Sequence, residues 1–211
     1  MQDQERIAHR NMNTLDYILD KYNVRNEESP IKLNYHRTVG IPTLFRELGF
    51  TKGAEIGVEQ GKFSELLLKK IPNLKLYSID FWQYYRLWRG MKRKWRQDIY
   101  YENVKKKLAS YNCEVIKATS MNAVKNFEDE SLDFVYIDAN HNYECVKEDI
   151  REWSKKVRKG GIVSGDDYYI FPSGNDGVVK AVDEWIKDNK IKPWFYFYYL
   201  GKPPNWFYVK I

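Results

Sequence analysis

Cysteine is scarce in this chain of 211 residues, which has only Cys113 and Cys145. The two lie far apart and lack metal-ligand spacing. That excludes a disulfide-stapled scaffold and a cysteine-held zinc site, and makes a reducing cytoplasm the expected home. No apolar run is long enough to span a bilayer, and the opening Met-Gln-Asp-Gln-Glu-Arg carries no apolar signal region. A soluble protein with no membrane partner is therefore expected. Internal repeats, low-complexity tracts and linkers are missing as well, and the length suits one domain, or one domain with an appendage. Two nucleotide signatures are also missing. Gly-x-Gly-x-x-Gly fails because Glu59 stands two positions after Gly57, where a carboxylate would repel a pyrophosphate. The phosphate loop ending Gly-Lys-Ser/Thr fails because Gly61-Lys62 is followed by Phe63, and no glycine stands five positions before Gly61.

What is present centres on residues 53–61. Ala54–Val58 is a short, mostly apolar run that ends in a turn bracketed by Gly57 and Gly61. Phe63, Leu66, Leu67 and Lys70 then return at helical spacing, so the segment reads strand, tight turn, helix. Glycine permits positive φ there and lets another molecule come close to the backbone. The helix beginning near Lys62 aims its unpaired N–H groups at the same place. Leu74–Ile79 is a second strand, and Asp80 ends it nineteen positions after Gly61. An acid at that spacing takes ribose hydroxyls in nucleotide-binding α/β sheets. The surviving pattern, Glu55-x-Gly57-x-x-x-Gly61, resembles motif I of the class I S-adenosylmethionine (AdoMet)-dependent methyltransferases. That cofactor carries a sulfonium and an ammonium rather than phosphates, so carboxylates at the turn help it bind.

Residues 1–52 read as an N-terminal helical extension ahead of a domain at 53–211. Leu15, Ile18, Leu19 and Tyr22 mark one helix, and a polar loop follows from Asn23 to Pro30. A second helix is expected from about Ile41 to Leu48 with Pro42 in its first turn. These helices cap the sheet, cover a cleft or form a homodimer face. Residues 81–101 are a basic aromatic insertion. Trp82, Tyr84, Tyr85, Trp88, Trp95, Tyr100 and Tyr101 alternate with Arg86, Arg89, Lys92, Arg93, Lys94 and Arg96. Six bases against the one acid Asp98 give this stretch five of the chain's six excess positive charges. Two interpretations stand: a substrate lid with Trp82, Tyr85, Arg86, Trp88 and Arg89 as contacts, or an amphipathic helix whose bases are solvated.

Cys113–Lys117, Leu132–Ile137 and Ile162–Ser164 read as further strands. Ser120 opens the helix after the first of these, as a cap or as an adenine contact. Trp194–Leu200 and Trp206–Ile211 read as a closing hairpin. Asp138 ends the fourth strand, and Asp166 with Asp167 follows the fifth. Neighbouring parallel strands bring such ends together, and three crowded carboxylates repel unless a cation neutralises them. Oxygen-only ligands favour Mg²⁺ or a similar divalent ion. His141 leaves the fourth strand three residues after Asp138. An imidazole there can accept a hydroxyl proton near neutral pH, with Asn140 and Tyr143 as neighbouring contacts.

The runs Leu132-Asp-Phe-Val-Tyr-Ile-Asp138-Ala-Asn-His141, Lys159-Gly-Gly-Ile-Val-Ser-Gly-Asp166-Asp167 and Gly177-Val-Val-Lys-Ala-Val-Asp-Glu-Trp185 resemble the family that includes macrocin O-methyltransferase, relatives of the catechol enzyme. The resemblance covers about residues 50–190. It implies an α/β fold with the Rossmann-like class I methyltransferase sheet, in which five parallel βα units end in an antiparallel hairpin strand and helices lie on both faces. It also implies AdoMet contacts at Glu55, Gly57, Gly61, Asp80, Ser120 and Asp138, and a metal at Asp138, Asp166 and Asp167. Catalysis falls to His141 and Asp138, acting on a small-molecule or sugar hydroxyl. Asp166-Asp167 stands where catechol-type enzymes have Asp-Asn, which favours the macrocin branch. Two rival readings are an RNA methyltransferase gripping nucleic acid through residues 81–101, and an inactive AdoMet-fold binding protein.

Overall fold

Alternation within the strands divides the core in two. In the computed structural model, which describes residues 13–83 and 94–211, the strand β5 (Leu132–Ile137) sends Val135 and Ile137 into one layer and Phe134 and Tyr136 into the other. All four are buried, so residues 134–137 read as an unbroken apolar run. That is the pattern a strand covered on both faces requires.

Before it come α1 (Thr14–Tyr22), β1 (Ile31–Leu33), α2 (Arg37–Glu47), β2 (Lys52–Ile56), α3 (Lys62–Lys70) and β3 (Lys75–Asp80). Next are α4 (Lys94–Leu108), β4 (Cys113–Lys117) and the short α5 (Ser120–Ala123), which runs into a 3-10 turn. After β5 follow α6 (Tyr143–Lys156), β6 (Val157–Gly165), α7 (Gly177–Asp188), β7 (Phe195–Tyr199) and β8 (Lys202–Val209). The sheet order is β1-β7-β8-β6-β5-β2-β3-β4. Strands β6, β5, β2, β3 and β4 are parallel, and β8 runs antiparallel to β6 and to β7. Five parallel strands closed by an antiparallel hairpin are the sheet expected. Among the described residues no helix is long and apolar enough to cross a membrane.

One layer packs Val146, Ile150 and Trp153 of α6 with Val178, Val182 and Ile186 of α7. The other packs Ile18 of α1, Ile41, Leu44 and Phe45 of α2, and Phe63 and Leu67 of α3. There Phe45 stacks on Phe134 with ring centroids 4.2 Å apart. Aromatic stacking of this kind adds to what burial alone contributes.

Two local expectations change in the N-terminal segment. Residues 31–33 form β1, which pairs parallel with β7 through Ile31↔Phe195 and Leu33↔Phe197. Three residues are too few to display a period, so the strand had no sequence signal. The second helix starts at Arg37 rather than near Ile41, because His36 caps it: its Nδ1 accepts from the Thr38 N–H at 3.3 Å. Pro42 therefore lies inside the helix rather than in its first turn, which begins at Arg37.

Candidate functional site

The glycine turn is clamped from below. Asp80 Oδ2 accepts from the Val58 and Glu59 N–H groups at 2.9 and 2.8 Å, and its Oδ1 accepts from the Trp82 N–H at 3.0 Å. Three backbone donors on one carboxylate fix the turn over the strand ends. Gly57 has φ +94°, and a Cβ there would lie 2.0 Å from the Asp138 carbonyl oxygen. The close approach that requires glycine is thus made by the chain itself, where Asp138 donates its N–H to Ile56 at 2.7 Å. Gly61 caps α3 in the left-handed region, with Val104 against the place a Cβ would take. The turn, Asp80 and Asp138 gather at the carboxyl ends of β2, β3 and β5, where open α/β sheets take ligands. The Asp80 carboxylate and these glycines suit the ribose side of an adenosyl cation.

Four expected contacts face elsewhere. Glu55 is buried, and its carboxyl accepts from the Ser64 hydroxyl of α3, which in turn accepts from Ser78 at 2.9 Å. Strand alternation turns Glu55 to the α3 face, away from the turn, and burial pushes it up to about 8. The Ser120 hydroxyl donates to Asp149 and accepts from the Trp153 indole at 2.8 Å, joining α5 to α6. The cap of α5 is Thr119, one residue earlier. Trp82 is 1% exposed, packs with Val58, Val104 and Leu108, and donates its indole N–H to the Glu59 carbonyl. It anchors the turn and offers no face to an acceptor. Tyr143 likewise bonds to Glu184 and Lys147, so the contact between α6 and α7 takes its hydroxyl. Tyr85, Arg86, Trp88 and Arg89 lie outside the described residues.

Asp149 gives a pH prediction. Burial raises its carboxyl from 3.8 to about 7, against the opposing bond from Ser120. A carboxyl raised on folding keeps its proton in the native state. Its contribution is full below its ordinary value and is lost as pH rises through about 7. Asp149→Asn should therefore gain on the order of 2–4 kcal/mol relative to wild type between pH 4 and pH 8, as read by urea unfolding at both ends.

The acids converge, with one substitution in the group. Asp138, His141 and Asp167 each offer a ligand atom, and the three atoms lie within 4.8 Å of one another. His141 Nε2 is 2.9 Å from Asp167 and 3.9 Å from Asp138. Its ring stacks on Phe171 at 5.5 Å. The Asp138 and Asp167 carboxylates beside it raise the imidazole to about 9, while burial raises the Asp138 carboxyl. Asp166, expected among the metal ligands, is buried against other partners. It pairs with the Arg37 guanidinium, accepts from Asn205 and accepts from the Asp167 N–H at 2.9 Å. Arg37 also lies 3.5 Å from Asp138. Two carboxylates so placed suit a divalent ion, with the imidazole beside them.

Arg37 and Asn205 were missed from the sequence. The His36 cap would have signalled the first, since it places Arg37 in the first turn of α2. The second follows Pro203-Pro204 in β8 and is buried, donating to Tyr136 at 3.0 Å as well as to Asp166. Beside these groups opens a groove of about 530 Å³ whose lining includes Arg37, Lys62, Asp138, Tyr199 and Lys202.

Comparison with known proteins bears on this geometry. Residues 54–168, more than half of the chain, match a family described as "Methyltransferase domain". The chain belongs to that methyltransferase family. The O-methyltransferase from Bacillus cereus, solved in complex with SAH, aligns with TM-score 0.60 at 15% identity, covering 93% of this chain and 90% of that one. The O-methyltransferase TomG of Streptomyces achromogenes, involved in tomaymycin synthesis and solved with SAM, gives TM-score 0.60 at 15% identity over 92% and 87%. A protein of Clostridium thermocellum proposed to be an rRNA methylase gives 0.59 at 16% identity over 85% and 100%. At these identities the likeness is one of fold, the Rossmann-like class I methyltransferase fold. No curated protein matches significantly.

Proposed function

We propose that the chain is an AdoMet-dependent O-methyltransferase, assisted by Mg²⁺ or a similar divalent ion, acting on a hydroxyl of a small molecule or sugar. The observation that carries this reading is the meeting of Asp138, His141 and Asp167 beside the Asp80-clamped glycine turn. When bound, AdoMet would supply the electrophilic methyl group and the ion would draw charge from the acceptor hydroxyl. The turn and Asp80 orient the cofactor's ribose side, and Asp138 and Asp167 hold the ion. Asp166 stays locked to Arg37 and Asn205, buttressing its neighbour Asp167. His141 accepts the acceptor's proton at Nε2. While both carboxylates charge it, the imidazole keeps its own proton at neutral pH. Once their charge is spent elsewhere it returns toward its ordinary range, where it can act as a base. Positioning and neutralisation supply most of the acceleration, because a sulfonium is already a good leaving group.

Calorimetry of AdoMet binding to metal-stripped protein, with and without Mg²⁺, tests the reading. Tight binding weakened at least about tenfold by Asp80→Ala is the expected result. No binding under either condition would sink the enzyme reading.

A further inference from the structure

We propose that the acceptor is an anion: a hydroxylated ring that carries a carboxylate or phosphate, held by Lys62 and Lys202 in the groove beside the acid cluster. This rests on the groove being the acceptor side of the proposed transferase, and it names the class of molecule the groove takes.

Charge is divided unevenly along the groove. Among the described residues its acidic lining residues are Asp138, Asp166 and Asp167, all gathered at one place. Their charge is already answered from within, by Arg37 on Asp166 and Asp138 and by His141 on Asp167. The remaining walls carry Lys62, at the first position of α3, and Lys202, at the first position of β8. Neither lysine makes an ion pair or side-chain hydrogen bond among the described residues. Lys69, Lys147 and Lys156 by contrast are each paired with an acid, Glu65, Glu184 and Asp129, so they are not available to a ligand as these two are. Two ammonium groups left without acids, lining one concavity from two different elements, make a site complementary to a negative group.

Ring character comes from the same walls. Tyr35 and Tyr199 line the groove and are 44% and 55% exposed, and the His36 ring stands edge-on to Tyr199 at 5.1 Å. Exposed aromatic faces beside polar groups suit a sugar or aryl ring, whose hydroxyls can reach the acids while its anionic group meets the lysines. A volume of about 530 Å³ admits a monosaccharide derivative or a small aryl acid. Carboxylate and phosphate share the required chemistry, so the two are separated by the probes used.

The test uses the whole protein with S-adenosylhomocysteine and Mg²⁺, so that no turnover occurs. Saturation-transfer NMR compares glucose, glucuronate and glucose 6-phosphate. At least one of the two anionic sugars should bind about tenfold or more tighter than glucose, the gain from one well-placed charge pair. Its preference should fall with added salt and vanish in the Lys62→Gln/Lys202→Gln variant, whose fold is checked by its melting curve. Lys202→Arg should retain it. Glucuronate ahead of glucose 6-phosphate assigns a carboxylate, and the reverse order assigns a phosphate. Equal binding of all three sugars, no binding by either anion, or a preference that survives the double variant would overturn the proposal. Calorimetry of S-adenosylhomocysteine on the same samples keeps the two ideas apart. Lost cofactor binding with a lysine-dependent anion preference refutes the transferase and leaves the anion site standing.

Discussion

Replacing His141 by alanine is expected to lower turnover by about 10²–10⁴-fold while leaving Mn²⁺, used as a reporter for Mg²⁺, bound almost as well as in the wild type. The reason lies in how the three groups are arranged. His141 Nε2 stands 2.9 Å from Asp167 and 3.9 Å from Asp138, so the two carboxylates can share an ion without it. The imidazole is the only nitrogen base in that trio of groups. Stopped assays across pH, with Mn²⁺ titrations by calorimetry, check both halves. The wild-type rate should rise with pH as the imidazole loses its proton, and the variant should lack that limb. If Mn²⁺ affinity collapsed together with turnover, His141 would be a ligand and the proton would go elsewhere.

Arg37→Met should produce two opposite effects. Without metal the variant should lose about 2–3 kcal/mol of stability, because Asp166 is buried and its charge partner is gone. A loss below the usual range of about 3–5 kcal/mol for breaking a buried pair is expected, since about a third of the Arg37 side chain is exposed. Asn205 and the Asp167 N–H remain to hold the carboxylate. Mn²⁺ should then bind more tightly than in wild type, since Arg37 no longer neutralises Asp138 from 3.5 Å. Added Mn²⁺ should restore the lost melting temperature by mass action. Unchanged affinity and an unchanged melting curve would show that the guanidinium is a bystander. Arg37→Lys should fall between the two, because an ammonium cannot reproduce the planar fork.

Topology can be read from the chain more readily than the direction of a side chain. Asp80, Asp138, Asp166 and Asp167 were legible because each ends or follows a parallel strand, and topology alone brings such ends to one edge. Gly57 was legible as a position that needs glycine, although what crowds it is the Asp138 backbone rather than a ligand. Side-chain direction was much less legible. Glu55 belongs to a turn motif by spacing and to the α3 face by strand alternation, and alternation prevails. Ser120 sits one residue beyond the true cap, and that single step sends its hydroxyl to Asp149 and Trp153. Trp82 belongs to a basic aromatic stretch by composition, yet burial makes it part of a small core with Val104 and Leu108. Arg37 was hidden by Pro42, which marks a first turn in most helices and here lies further in.

The edge strand β1 has a consequence for the order of events during synthesis. Its partner is β7, so Ile31 meets Phe195 across most of the length of the chain. The segment that carries Tyr35, His36 and Arg37 therefore has no sheet to join until the hairpin of β7 and β8 has left the ribosome. Contacts so distant in sequence close late, after the parallel strands between them have found their neighbours. The turn and the acid-bearing strand ends can assemble first, from consecutive βα units. The groove wall that carries Tyr35, His36 and Arg37 is thus made before its sheet partner and fastened only after it.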